Sequence, residues 1–390
     1  MAPGRLASLD AYRGIVMLLL FGEALRTCDV AAAVPSSALW AFFCHHQTHV
    51  EWVGASLHDL IQPSFSFLVG AALPFSIAAR TAAGQSRGRM IAHAFWRAAV
   101  LVALGIWLRS GGRPQTYFTF EDTLSQIGLG YGFLFLLALR PVRDQWLALA
   151  AILAGYWAAF ALYPAPGTGF DWAAAGVDPG WPHRLDGFAA HWNKNSNLAW
   201  AFDLWFLNLF PRERPFAFNG GGYATLSFIP TLGTMILGLI CGELLRRDRG
   251  PSARVRWLAV AGVVGLASGW LLGALGICPV VKRIWTPSFT LWSGGACFLI
   301  VAALYEVIDV RGWRRWAFPL VVVGMNSIAA YCMTELWPRF IEGSLDTHLG
   351  HGLFRMFGDA YAPFLQGAAV MLVLWLILFW MYRRRIFLRV

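Results

Sequence analysis

Histidines and a carboxylate gather early in this chain. His58 and Asp59 are adjacent, and His45, His46 and His49 lie a short way upstream. An imidazole titrates near neutrality, so one oriented by a carboxylate can carry a proton or act as a nucleophile. His49, His58 and the pair His45-His46 are candidates for that chemistry, with Asp59 as the orienting group. Asp59 could equally cap a helix that starts here and tolerates Pro63 in its first turns. Cys44 beside three histidines also raises zinc, but the spacing matches no common zinc pattern and no metal is expected.

A second pair, Asp10 and Arg13, stands three residues apart inside an apolar run, on one face of any helix formed there. Ionisable groups in such runs need partners or a function. The two form a structural ion pair, or Arg13 offers its cation to a phosphate-bearing ligand. Gly128, Gly130 and Gly132 imitate a nucleotide-binding pattern, yet no strand precedes them, and small residues that let helices approach explain them better.

These residues are positioned by elements built for lipid. Of 390 residues 58% are apolar and 13% charged, far from the balance of a soluble chain. Runs of about 18 apolar residues, the length a bilayer core requires, recur at roughly 9–26, 57–79, 91–109, 122–140, 145–163, 223–245, 257–277, 286–306, 318–337 and 361–382. No period-two alternation supports a barrel. The expected fold class is an all-α polytopic transmembrane bundle of about ten spans, one domain over 1–390, with outer loops 27–56 and 164–222.

The formal charge of +10 sits at span ends, which excludes a nucleic-acid surface. With both termini cytoplasmic, 19 Lys and Arg, Arg5 and Arg389 among them, fall inside and 10 outside, as the positive-inside rule requires. Asp10 and Arg13 interrupt the first run too early for a signal peptide. Loop 164–222, rich in Trp, Pro and Gly, reads as an ordered outer cap. Cys28 and Cys44 could bridge outside, while the other cysteines behave as small apolar residues. The expected location is a bacterial inner membrane. Oligomeric state, including a homo-oligomer, is not legible.

Four segments in order, RLASLDAYRGIVMLLL, HVEWVGASLHDLIQPSFSFLVGAALPFS, CPVVKRIWTPSFTLWSGG and GMNSIAAYCMTE, resemble the successive signatures of the heparan-alpha-glucosaminide N-acetyltransferase family and its bacterial relatives. The resemblance implies a multi-pass acyltransferase that takes acetyl-CoA from the cytoplasm and acetylates an amino sugar or glycan on the other side. The family's catalytic histidine precedes x-x-W-x-G and then Asp-Leu and Pro. His49, before Trp52, Gly54, Asp59-Leu60 and Pro63, fits that pattern and is preferred to His58. Coenzyme A phosphates would take cytoplasmic-end cations, Arg13 first, with Arg80 and Arg246 as further candidates. Asp10, Lys282, Trp285, Ser288 and Asn326, from the first, third and fourth motifs, complete the expected donor-binding set.

The chain departs from the family at several points. Glu23 and Ala24 stand where animal enzymes tend to carry Asn, Gln126 is followed by Ile127, and Gly220-Gly221-Gly222-Tyr223 replaces an acidic motif. The rival reading is a polytopic transporter of a small polar or sugar solute, for which no pair of inverted halves is visible. Within the enzyme reading, His49 either carries the acyl group or acts as general base.

Overall fold

The computed structural model describes residues 6–388; Arg5 and Arg389 of the charge count lie outside them. Apolar runs without internal partners can satisfy their backbone in lipid only as helices, and every expected span has a helical counterpart. In order these are α1 (Ala7–Phe21), short α2 (Thr27–Ala33) and α3 (Ala38–Gln47), then α4 (Ile61–Ala82), α5 (Arg87–Arg109), α6 (Thr123–Ala138) and α7 (Val142–Leu162). After a long loop carrying α8 (Leu198–Phe206) come α9 (Phe228–Arg246), α10 (Pro251–Ala274), α11 (Pro287–Leu304), α12 (Phe318–Gly324), α13 (Ser327–Leu336), α14 (Pro338–Leu349), α15 (His351–Phe354) and α16 (Ala362–Arg383). Among the described residues there is no strand, only an isolated antiparallel bridge between Val53 and Val281.

Among the described residues seven helices are long and apolar enough to cross a bilayer, or eight if α12 and α13, bent by 67°, count as one broken span. The sequence reading expected about ten. The shortfall lies in α1 and α6, whose 15 and 16 residues reach only about 22–24 Å at 1.5 Å per residue. Each has a local cause. Arg26 adopts a left-handed conformation, φ 48°, and ends the 3-10 turn Gly22–Leu25 that extends α1. Asp122 starts α6 by accepting hydrogen bonds from the Leu124 and Ser125 amides, both at 3.0 Å, so residues before it are not helical. The break between α12 and α13 falls at Asn326, whose backbone leaves the helical region.

The core is organised around α9, buried along nearly its whole length against α4, α6, α7 and α11. Close approach is made by small residues, as expected where lipid removes the hydrophobic drive between helices. A side chain at Gly70 would collide with the Met235 carbonyl, and one at Gly238 with that of Phe67. Gly128 and Gly132 likewise face α5, and Gly130 faces α9. The first helix lacks a side-chain cap of its own. Asp309, from the turn after α11, accepts instead from the amides of Ala7 (3.3 Å) and Ser8 (3.2 Å).

The loop before α9 is ordered by aromatic packing. Trp52, Tyr156, Phe160, Trp192 and Ile284 form a second apolar cluster, and the Trp52 indole donates to the Trp192 carbonyl at 3.0 Å. This cluster ties residues 164–222 to the segment carrying His49. Cys28 and Cys44 form a disulfide joining α2 and α3 just ahead of it.

Candidate functional site

Two regions at opposite ends of the bundle gather polar groups. At one end, His49 lies in the loop after α3 and Asp59 in the 3-10 turn that opens α4. The His49 Nδ1 and Asp59 Oδ1 are 2.7 Å apart. Asp59 is fully buried, and its other oxygen accepts from the Ser56 amide (2.9 Å), the Ser56 hydroxyl (3.2 Å) and the Val50 amide (3.3 Å). A carboxylate so saturated stays an acceptor, which places the proton on His49 Nδ1 and leaves Nε2 with its lone pair. Burial holds the His49 imidazole below its ordinary 6.5, opposed by the hydrogen bond to Asp59. The ring is therefore neutral at pH 7.

The third member comes from far along the chain. The Val53–Val281 bridge, reinforced by the Gly54 amide donating to the Val280 carbonyl at 2.9 Å, lays the loop before α11 against the His49 loop. It places Lys282 Nζ 3.3 Å from each His49 ring nitrogen, 3.9 Å from Asp59 Oδ1 and 3.4 Å from the Tyr223 hydroxyl. Burial pulls the Lys282 ammonium down to about 8, against the attraction of Asp59, and pushes the Tyr223 phenol up to about 12. Arg283 braces the assembly by donating to the carbonyls of Gly221 (2.8 Å) and Val50 (3.2 Å). His58 lies on the far side of His49, ring centroids 4.5 Å apart, with its Nε2 3.1 Å from Glu23 Oε1.

Near the opposite end, a cavity of about 580 Å³ is lined by Arg13, Arg80 and Arg97 and runs past Leu73, Ile127 and Tyr131 to Thr123 and Tyr331. Arg13 pairs with Asp10 at 2.9 Å. Arg97 donates to the Tyr131 hydroxyl at 3.3 Å, and its buried Nε has no hydrogen-bond partner. A cavity lined by three guanidiniums, one with an unspent donor, is suited to phosphate.

The expected donor-binding residues thus divide. Arg13 and Arg80 line the cavity, with Asp10 bonded to Arg13, whereas Arg246 does not line it. Asn326 fixes the chain's last described residues as a cavity wall, donating to the Ile386 carbonyl at 2.9 Å and accepting from the Leu388 amide at 3.1 Å. Lys282 stands beside His49 instead. Trp285 and Ser288 are buried away from the cavity and bonded to Thr234 (3.1 Å) and to the Pro279 carbonyl (2.6 Å). Sequence reasoning overlooked Arg97, Ser56 and Tyr223 as site residues. The Ser56-x-x-Asp59 spacing of a helix-start box was a usable signal, and so was a cation within span α5; nothing local marks Tyr223.

Together these features define a polytopic helical membrane protein with a His–Asp–Lys cluster at one end and an arginine-lined cavity near the other. No family model matches the chain. It is nevertheless a distant relative of heparan-alpha-glucosaminide N-acetyltransferase, 25% identical to the Homo sapiens protein and 22% to that of Mus musculus, in each case over 382 residues and 87% of its own length. The chain spans about half, 54%, of the length of these curated relatives.

Proposed function

We propose that this protein is a transmembrane acyltransferase that moves an acetyl group from cytoplasmic acetyl-CoA to an amino-sugar or glycan acceptor at the opposite membrane face. The observation that carries this reading is the His49–Asp59–Lys282 cluster at the other end of the bundle from the arginine-lined cavity. Transfer across a bilayer needs a place for an anionic donor head and a separate place for acyl chemistry. Arg13, Arg80 and Arg97 would hold the phosphates while the narrow pantetheine arm runs between helices. The distant relatives, named as acetyltransferases, favour the same chemistry, and the 19-to-10 charge asymmetry supports placing the arginine end in the cytoplasm of a bacterial inner membrane.

At the His49 end, the neutral Nε2 either attacks the thioester carbonyl or takes the acceptor's proton. In the first course the C–S bond breaks as the acyl–imidazole bond forms, and the acceptor then displaces the imidazole. Asp59 holds the tautomer, and the Lys282 ammonium offsets negative charge developing on the carbonyl oxygen.

The test is transfer from radiolabelled acetyl-CoA by the purified protein in lipid nanodiscs. The substitution His49→Ala is expected to lower turnover by a factor on the order of 10²–10⁴ or more. Turnover unaffected by that change would remove His49 from the chemistry. Acid quenching during a single turnover separates the two courses, since only the first leaves label on the wild-type protein.

A further inference from the structure

We propose that Tyr223 is a further catalytic residue, its phenol hydroxyl donating, together with the Lys282 ammonium, to the carbonyl oxygen of the acyl group under attack at His49. The proposal rests on the acyl-transfer reading above. Whether His49 Nε2 or the acceptor attacks, the attacking atom bonds to the acyl carbon and the C=O electron pair moves onto oxygen. That pair returns as the C–S bond breaks and the sulfur leaves with its electrons. Between the two events the oxygen is an anion, and donors already aimed at it speed both. The phenol keeps its proton throughout.

Both donors are in place. Lys282 Nζ is equidistant, 3.3 Å, from the two His49 ring nitrogens, which puts it over the ring face and leaves the in-plane Nε2 lone pair open. A carbonyl carbon joined to Nε2 lies in the ring plane and can turn its oxygen toward that face. The Tyr223 hydroxyl is 3.4 Å from Lys282 Nζ, a separation at which two donors can meet at one oxygen, each about 2.7–3.1 Å from it. Lys282 donates to the phenol oxygen, and among the described residues nothing accepts the phenol's own proton. A hydroxyl that accepts from a cation is polarised into a stronger donor. Burial pushes the phenol up to about 12, so at neutral pH the proton is there to donate. The His49 side chain is 33% exposed, which admits an acceptor, whereas Lys282 is 5% exposed, so the side that meets the oxygen is the dry one.

Several elements hold Tyr223 in position. Asn219 Oδ1 accepts from the amides of Gly221 (2.8 Å) and Tyr223 (3.2 Å), closing a turn in which Gly222 takes φ 76°. A side chain at Gly222 would collide with the Trp52 indole, so the turn is seated on the segment that carries His49. The Arg283 guanidinium lies 5.3 Å from the centre of the Tyr223 ring while donating to the Gly221 and Val50 carbonyls. The His49 and Tyr223 rings meet edge to face, centroids 6.4 Å apart. A donor worth this bracing is one whose place must be fixed before the charge develops.

The experiment measures coenzyme A release from acetyl-CoA by the full chain in nanodiscs, with glucosamine as probe acceptor. The substitution Tyr223→Phe keeps the ring beside Arg283 and removes only the hydroxyl. It is expected to lower kcat about 10²-fold, the low end for one oxyanion donor. KM for acetyl-CoA and for glucosamine should be unchanged, because the contact exists only in the transition state. A kcat equal to wild type overturns the proposal, and so does a raised KM for glucosamine at unchanged kcat, which would make the phenol an acceptor contact. If melting in detergent shows the Phe variant unfolded, 3-fluorotyrosine at position 223 decides instead. It keeps the ring and hydroxyl and, as the more acidic donor, is expected to raise kcat; an unchanged or lower kcat overturns the role. A wild-type protein that releases no coenzyme A overturns the acyl-transfer reading, and the role of Tyr223 with it.

Discussion

At the scale of single residues, Lys282 decides how the site responds to pH. Its ammonium is buried beside a neutral imidazole and a carboxylate, and burial brings its titration down to about 8. His49, also depressed by burial, loses its proton below 6.5. Activity that needs a neutral His49 and a charged Lys282 must rise with pH through the first titration and fall through the second, a bell with its alkaline limb near 8. The substitution Lys282→Met is expected to cost about 10²–10³-fold in turnover, the worth of one charge-stabilising donor. It should also abolish the alkaline limb while leaving the acid limb, read from rate–pH profiles of the two proteins. His49 and Asp59 were legible because ten residues and a shared motif join them. The place of Lys282 was not, since 233 residues separate it from His49 and its motif says nothing of what it faces.

At the scale of elements, the spans α4 and α9 hold the His49 end and the cavity in one frame, and the crossing depends on missing side chains. The substitution Gly238→Ala puts a methyl group into the Phe67 carbonyl, so the helices must part; overpacking of this kind costs about 1–3 kcal/mol. A methyl group at Gly155 on α7 meets nothing. Thermal unfolding in detergent should therefore show a lower midpoint for Gly238→Ala and an unchanged or raised one for Gly155→Ala, because alanine favours a helix over glycine. Hydropathy located every span because the bilayer demands long apolar runs. It overestimated α1 and α6 because it does not register a left-handed Arg26 or a capping Asp122. The 67° break at Asn326 was equally invisible: Asn is tolerated within a helical pattern, and what turns the chain here is tertiary packing.

The cavity belongs to the same intermediate scale, since α1, α4 and α5 each bring one arginine to it. On the proposed function, neutralising one cation weakens a phosphate contact without touching the thioester. The substitution Arg97→Gln should raise KM for acetyl-CoA several-fold and leave turnover near wild type. With acetyl-pantetheine, which lacks the nucleotide phosphates, KM should be the same for both proteins. A KM raised equally for both donors would mean that Arg97 shapes the cavity instead of binding phosphate.

For the whole molecule, the proposed function turns on which end faces the cytoplasm, because it requires an acyl group to travel from one to the other. Span ends rich in arginine connect α4 to α5 and α9 to α10, whereas the His49 end carries the Cys28–Cys44 disulfide, which an oxidising compartment favours. Both features favour the proposed orientation, with the arginine end inside. Gln85, between α4 and α5, and Thr168, in the long loop before α8, are exposed on connections at opposite ends of the bundle. The native cysteines outside the disulfide are buried, apart from half-buried Cys332, so Gln85→Cys and Thr168→Cys can each be labelled above a low background. In intact cells a membrane-impermeant maleimide is expected to label Thr168→Cys and spare Gln85→Cys, with both reacting after the membrane is opened. The reverse pattern would put His49 in the cytoplasm beside its donor, and transfer would no longer need to cross the membrane at all.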